Sequence, residues 1–252
     1  MARFLPRNLR NAWGRLASGA GADNLKNLLS LAGNPDYISF WDDYVGGGGA
    51  GSWPASQHWG YAATVGTGTQ VVANTTATFG GVLTLTTGSS SADTSGQAVG
   101  LHWRGTEGIY YIAKFNLSDV TTAKFEVGLA DAITGDTGMV ATKATPTHTG
   151  TAYAVMAFDT TDDTNVTFIS AAAGVTGANA DWSGTLVNGT DIVVEIIVRG
   201  AFASGYINGQ YVGGGAITAA TLLAPWVFVK TNTAATRALL VDYQGCISPR
   251  SA

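Results

Sequence analysis

Glu126 and Asp131, in the run KFEVGLAD, and Asp191 and Glu195, in DIVVEIIV, are the acidic pairs whose spacing could serve chemistry. Two carboxyl groups about 5–10 Å apart across a glycosidic bond can hydrolyse it. On one strand this needs acids at alternate positions, because only those share a face. Glu126 and Asp131 are five apart, so a regular strand sends them to opposite faces. Asp191 and Glu195 are four apart and share a face, but apolar residues separate them. Asp42 and Asp43 are adjacent and point apart. None of these spacings makes a catalytic pair, and the chain reads as a non-enzyme.

Other chemistries find little anchor. FDTTDDTN gathers Asp159, Asp162 and Asp163, and clustered oxygens can hold Ca²⁺. The glycine and the distal glutamate of a defined calcium loop are missing, so a solvated hairpin tip is the simpler reading, with calcium left open. His58, His102 and His148 are not at metal-ligand spacing, and His102 in GLHWRG reads as a hydrogen-bonded strand histidine. There is no Gly-x-Ser-x-Gly elbow. GGGGAG is not followed by Lys-Ser or Lys-Thr, and GAGADN lacks the third glycine of a dinucleotide turn. No cofactor and no metal is therefore expected. Trp53, Trp59, Trp103 and Trp182 fall in or near loops where rings could stack on sugar, without composing a site.

The composition points to β structure. Charged residues are 12 % of the chain, hydrophobic ones 46 %, and glycine numbers 34. That suits a packed body with many turns. Cys246 is the only cysteine, so no intrachain disulfide can form. No run approaches the roughly 18 apolar residues of a membrane span. The basic N-terminus is followed by NAWGRLASGAGADNLKN, which lacks a continuous apolar core, so no signal peptide is expected. Asn74, Asn116, Asn165 and Asn188 match the glycosylation triplet, as chance allows in a threonine-rich chain.

Charge divides the chain at its first strand. Residues 1–35 hold five basic side chains against one acidic, a net of +4, and the remainder carries −8. Leu5, Leu9, Trp13 and Leu16 recur at spacings of four, four and three, one face of a helix. Arg3, Arg7, Arg10 and Arg15 bring charge to the same segment. A second short helix fits DNLKNLLSLAG, capped by Asp23 and stopped by Gly33 and Pro35, with Leu25, Leu28 and Leu29 facing a partner. Residues 1–36 thus read as a basic, partly helical arm before a body of residues 37–252. Two readings of the arm stand: a lid on its own body, or an anchor on a neighbouring subunit. Its position ahead of the first strand favours the neighbour.

From Tyr37 the pattern becomes short alternating runs: YISFWDDY, GVLTLTTG, QAVGLHW, IYYIAKF, AKFEVGLA, YAVMAF, NVTFIS, DIVVEIIVRG, SGYI, QYVG, PWVFVK and RALLVDY. About a dozen strands between glycine, asparagine and threonine turns argue for a mainly β, two-sheet antiparallel sandwich. VGGGGAGSW reads as a flexible loop. In GYINGQYVGG, Asn208-Gly209 signals a two-residue hairpin turn with positive φ at both positions. Tyr206 and Tyr211 flank it as a cross-strand pair.

DIVVEIIVRGAFASGYINGQYVGG, followed by PWVFVKTNTAATRALLVDY, resembles the last third of concanavalin-A-like and laminin-G-like sandwiches. FWDDYVGG with GGVLTLTTG and YYIAKFNLS resembles a narrower group, tailed-phage virion structural proteins of that fold. The resemblance covers about residues 37–247 and implies a jelly-roll body; the arm is not part of it. The glycanases of the fold carry Glu-x-Asp-x-Glu on one strand, a run this sequence lacks. The resemblance also implies terminal strands that meet, so residues near 38–44 are expected to pair with residues near 238–244.

The leading expectation is a capsid decoration or cement protein of a bacteriophage virion, assembled in the host cytoplasm as a homo-oligomer, a trimer. Its arm would grip the major capsid protein or another virion protein through Arg3, Leu5, Arg7, Leu9, Arg10, Trp13, Arg15 and Leu16. A carbohydrate-binding tail-fibre or adhesin module, with a surface glycan as ligand, is the first alternative. A glycan hydrolase or lyase is the second. Nucleic acid is a poor partner, because a body of −8 repels phosphate. A membrane is a poor one too, because glycines interrupt the amphipathic arm.

Overall fold

The computed structural model describes residues 37–42, 60–65, 69–73, 82–132 and 138–249. Among these residues there are eighteen strands and no helix. The expected arm, residues 1–36, lies outside the described residues, as do Asp43, the loop from Val45, Trp53, His58, Trp59 and Asn74.

One sheet contains β1 (Tyr37–Asp42), β3 (Thr69–Ala73), β4 (Val82–Thr86), β7 (Ile109–Leu117), β14 (Ile192–Arg199), β15 (Phe202–Ile207), β16 (Gln210–Ala216) and β18 (Ala238–Pro249). The second contains β2 (Gly60–Val65), β5 (Thr94–Val99), β6 (Trp103–Arg104), β8 (Ala123–Ala130), β11 (Tyr153–Asp159), β12 (Thr167–Ala172), β13 (Val175–Asp181) and β17 (Leu222–Thr231). A short ribbon, β9 (Val140–Thr142) and β10 (Thr147–His148), stands apart from both. Every strand pairing is antiparallel. The body is a two-sheet all-β sandwich, consistent with a jelly roll.

Alternation explains the layers. In β7, Ile109, Tyr111, Ala113, Phe115 and Leu117 point into the space between the sheets, where Phe125, Val127 and Leu129 of β8 meet them. Phe115 lies edge-on to Phe125 at 5.2 Å, and Phe125 stacks on Phe158 of β11 at 5.5 Å. Such offset and edge contacts add to area burial. A polar bridge crosses the same interior: the Gln244 amide donates to Gln97 Oε1 at 3.1 Å. Cys246 is buried as a free thiol.

The first and last strands do meet, but not in the expected register. Tyr37–Asp42 pairs with Gln244–Pro249, from Tyr37 opposite Pro249 to Asp42 opposite Gln244. The segment 238–241 is taken by β4 instead. β18 thus has β7 on one side and both β4 and β1 on the other, and Cys246 to Pro249 belong to the strand. A bulge at Asp242 shifts the ladder between Val241 and Tyr243. It reverses the alternation, so Val241 and Cys246 both face the core while Tyr243 and Ile247 face outward.

At one edge the sandwich closes on itself. A β-carbon on Gly177 of β13 would lie 2.1 Å from Ala216 O, and one on Gly215 of β16 would lie 2.0 Å from Gly177 O. The glycines of this otherwise unremarkable strand let the two sheets touch backbone to backbone.

The hairpin forms as expected. Asn208 and Gly209 have φ of 51° and 76°, Ile207 pairs with Gln210, and the rings of Tyr206 and Tyr211 meet edge-on at 5.4 Å. Gly209→Val forces a β-branched residue into positive φ, and a loss of about 1–3 kcal/mol in chemical unfolding is expected. An unchanged unfolding midpoint would show that the turn does not set the register.

Candidate functional site

Both inward faces are filled, so among the described strands the polar side chains that could form a site stand on the outward faces. On the second sheet, Lys124, Glu126, Asp159, Tyr153, Trp226 and Phe228 come from β8, β11 and β17, and the apolar ones pack with Met139 and Val140. The segment 138–149 lies across this face. Glu126 is fully buried and accepts the amides of Met139 at 2.6 Å and Val140 at 3.1 Å. Gly138 comes so near that a β-carbon there would meet Glu126 Oε1 at 2.2 Å. The Lys124 ammonium lies 3.5 Å from Glu126 and 3.7 Å from Asp159, and donates to Val140 O. Burial pushes the Glu126 carboxyl above the usual carboxylate range, while the Lys124 charge and the two amides pull it back.

The rest of the segment is held just as closely. Asp162 accepts the amides of Lys143 at 2.5 Å and Ala144 at 3.3 Å. The buried Lys143 ammonium donates to Asp163, to Asn165 O at 3.1 Å and to Thr167 Oγ1 at 3.1 Å. His148 is bonded to Tyr153 Oη through Nδ1 and to Thr176 Oγ1 through Nε2, the latter at 2.9 Å. Asp131 accepts the amides of Thr151 and Ala152 at 3.1 and 2.8 Å. This is a clasp: the acids of this face hold backbone and lysines of their own chain.

The outward face of the first sheet differs. Lys114 bridges two carboxylates, Asp242 at 2.7 Å and Asp191 at 3.0 Å, which hold its ammonium above the usual lysine range. Asn116 also donates to Asp191 at 2.7 Å. The Tyr110 hydroxyl donates to Glu195 at 2.9 Å, with burial and the carboxylate both raising its value. Toward the β15–β16 edge the face opens: Phe202 is 50 % and Tyr211 55 % exposed, with Tyr206 beside them.

Several sequence expectations change here. Asp131 follows the end of β8, so strand alternation does not govern it; burial first, and then the charges of Glu126 and Asp131, raise the Tyr153 hydroxyl above the usual tyrosine range. Asp159 is buried rather than at a solvated tip, held by Thr161 and Asn232. The carboxylates of Asp159, Asp162 and Asp163 bind donors from different segments, and among the described residues no three potential ligands gather around a metal position. His102 is exposed and lies before β6, not in a strand. Trp103 is a buried strand residue, and Trp182 donates to Gln210 at 3.2 Å. Asp191 and Glu195 do share a face, but each serves a different partner. Lys124 and Lys143 carry the clasp and went unread in sequence. The one signal for Lys124 was its position two residues before Glu126 in an apolar strand, hence on the same face. The arm residues Arg3, Leu5, Arg7, Leu9, Arg10, Trp13, Arg15 and Leu16 are outside the described residues.

No family model matches the sequence, and no curated protein matches it. Solved structures do. A protein of unknown function from Shewanella oneidensis MR-1 aligns at TM-score 0.59 and 11 % identity, over 92 % of this chain and 97 % of that one. A non-specific endo-β-1,3(4)-glucanase of family GH16 aligns at 0.58 and 10 %, over 86 % and 92 %. Peanut lectin aligns at 0.53 and 12 %, over 86 % and 99 %. The fold is that of concanavalin-A-like lectin and glucanase sandwiches. At these identities the likeness extends to the fold alone.

Two outcomes follow from the clasp. Glu126→Ala leaves Lys124 and two amides without their acceptor in a dry site, at a cost of about 3–5 kcal/mol. Amide exchange at Met139 and Val140 should accelerate in step, and unchanged protection would show that the carboxylate does not hold the segment. Burial works to raise the Asp163 carboxyl, but Lys143 and the Asn165 amide hold it below the usual range. Its folded-state value is depressed, so its contribution is present above the unfolded value and lost as pH falls through the folded one. Asp163→Asn should therefore flatten the fall of stability below about pH 4; an identical acid limb in both proteins would refute this.

Proposed function

We propose that the chain is a structural protein of a bacteriophage virion, a capsid decoration or cement protein, that works by binding and not by catalysis. The observation that carries this reading is the clasp. Glu126, Asp159, Asp162 and Asp163 are engaged by Lys124, Lys143 and backbone amides of their own chain. They stabilise a covered face and are not placed to flank a substrate. The phage-protein resemblance of FWDDYVGG, GGVLTLTTG and YYIAKFNLS supports the same reading. The partner would be the major capsid protein or another virion protein, met by a homo-oligomer whose basic N-terminal residues Arg3, Arg7, Arg10 and Arg15 face the shell.

A second reading is carbohydrate binding. Structures of lectins and of glycoside hydrolases are among those that share the fold. Phe202, Tyr206 and Tyr211 offer adjacent rings at an open edge, and sugars stack on such surfaces.

The deciding experiment is co-sedimentation of the purified protein with emptied capsids of its phage, alongside glycan-array binding and release of reducing ends from β-glucans. Saturable capsid binding, without sugar release, is the expected result. Glycan binding lost in Tyr211→Ala, with no capsid binding, would replace the first reading by the second. Turnover of glucan would overturn both.

A further inference from the structure

The centre of the outward face of the first sheet is buried, and its own strands cannot bury it. Tyr37 of β1, Tyr110 and Ile112 of β7, Ile197 of β14 and Ile247 of β18 form one cluster, rimmed by Val193, Tyr206 and Tyr243. All of them stand on one side of one sheet. Their strand neighbours Tyr111, Ala113, Val198 and Cys246 point the other way, into the sandwich. Side chains on an uncovered sheet face keep their tips in water. Here Tyr110 is 0 % exposed, Ile112 1 %, Ile247 3 % and Ile197 4 %. Across the second sheet the same degree of burial comes from Met139 and Val140; across the first, no described strand contributes to the cluster from above.

We propose that the segment ahead of β1, residues 1–36, folds back over this face of its own chain and is its cover. That segment joins the body at Tyr37, and the Tyr37 ring is itself in the cluster. Thirty-six residues give ample reach. They contain Leu5, Leu9, Trp13 and Leu16 at one-face spacing, and then Leu25, Leu28 and Leu29. Charge agrees as well. Asp191, Asp242 and Glu195 outnumber Lys114 and Arg199 on the face by one charge, and residues 1–35 bring five basic side chains against one acidic. In this arrangement the leucines and Trp13 serve the body, and the arginines on the remaining arc stay available to another molecule. The inference rests on the packing of the sheet and holds or fails independently of the virion reading.

The test uses the full chain with benzoylphenylalanine in place of Trp13. Irradiation should give an intrachain product that maps to peptides of β7, β14 or β18. Products that map elsewhere would overturn the proposal. So would chain-to-chain products in a mixture of tagged and untagged protein, which would assign the cover to a second copy. Limited trypsin digestion gives an independent reading. Cleavage at Arg7, Arg10 and Arg15 should be slow in the parent and about tenfold faster in Val193→Asp, which puts a charge at the rim of the face. Equal rates in the two proteins would also overturn it.

Discussion

Face-to-face packing of the two sheets, centred on Phe115, Phe125 and Phe158, is the contact the rest of the molecule depends on. It takes up every inward position of β7, β8, β11 and β14. It also fixes how near the sheets come at their edge, where Gly177 and Gly215 allow backbone contact. Once both inner faces are committed, recognition is left to outward faces, loops and whatever precedes β1. The shared fold therefore constrains function weakly, and the outward faces have to be read one by one.

Those faces have been treated in opposite ways. The second sheet is covered by polar means: an acid and a lysine at alternate positions of β8 catch the backbone of a crossing segment, and Lys143 ties its far end. The first sheet is apolar at its centre, charged at one end and open and aromatic at its β15–β16 edge. A buried ion pair is an inefficient source of stability, since desolvation offsets much of the attraction. Its effect here is directional. It accepts one backbone path over the sheet, where an apolar surface would accept many.

Much of the sandwich was legible in the sequence, because alternation and turn chemistry are local. The runs of β7, β8, β11, β14 and β17 announce themselves, and Asn208-Gly209 announces its turn. β13 did not, because VTGANAD is mostly exposed and selected for closeness to β16 rather than for apolar alternation. β2, β3, β9 and β10 are short and weakly patterned. The register of β1 was displaced because β4 holds the first part of β18, a competition between distant segments that no local pattern records. The bulge at Asp242 is equally invisible, yet it decides which half of β18 shows which side chains to the core. The acids were visible as candidates, but their role was not, since it depends on a covering segment without periodicity.

β18 is the last of these strands to be synthesised, and it does not sit at an edge. It lies between β7 and the β4–β1 pair. When the ribosome has delivered Thr231, every strand of the second sheet exists, but the first sheet is still two separate fragments. One carries β7 with β14 to β16, and the other β3 with β4; β1 still lacks β18, its partner among the described strands. The inward rows of these fragments remain wet, and their unpaired edges remain open to other nascent chains, until the final strand is threaded between them. The order of manufacture thus leaves an interval in which wet apolar rows and open strand edges invite contact between sister polypeptides.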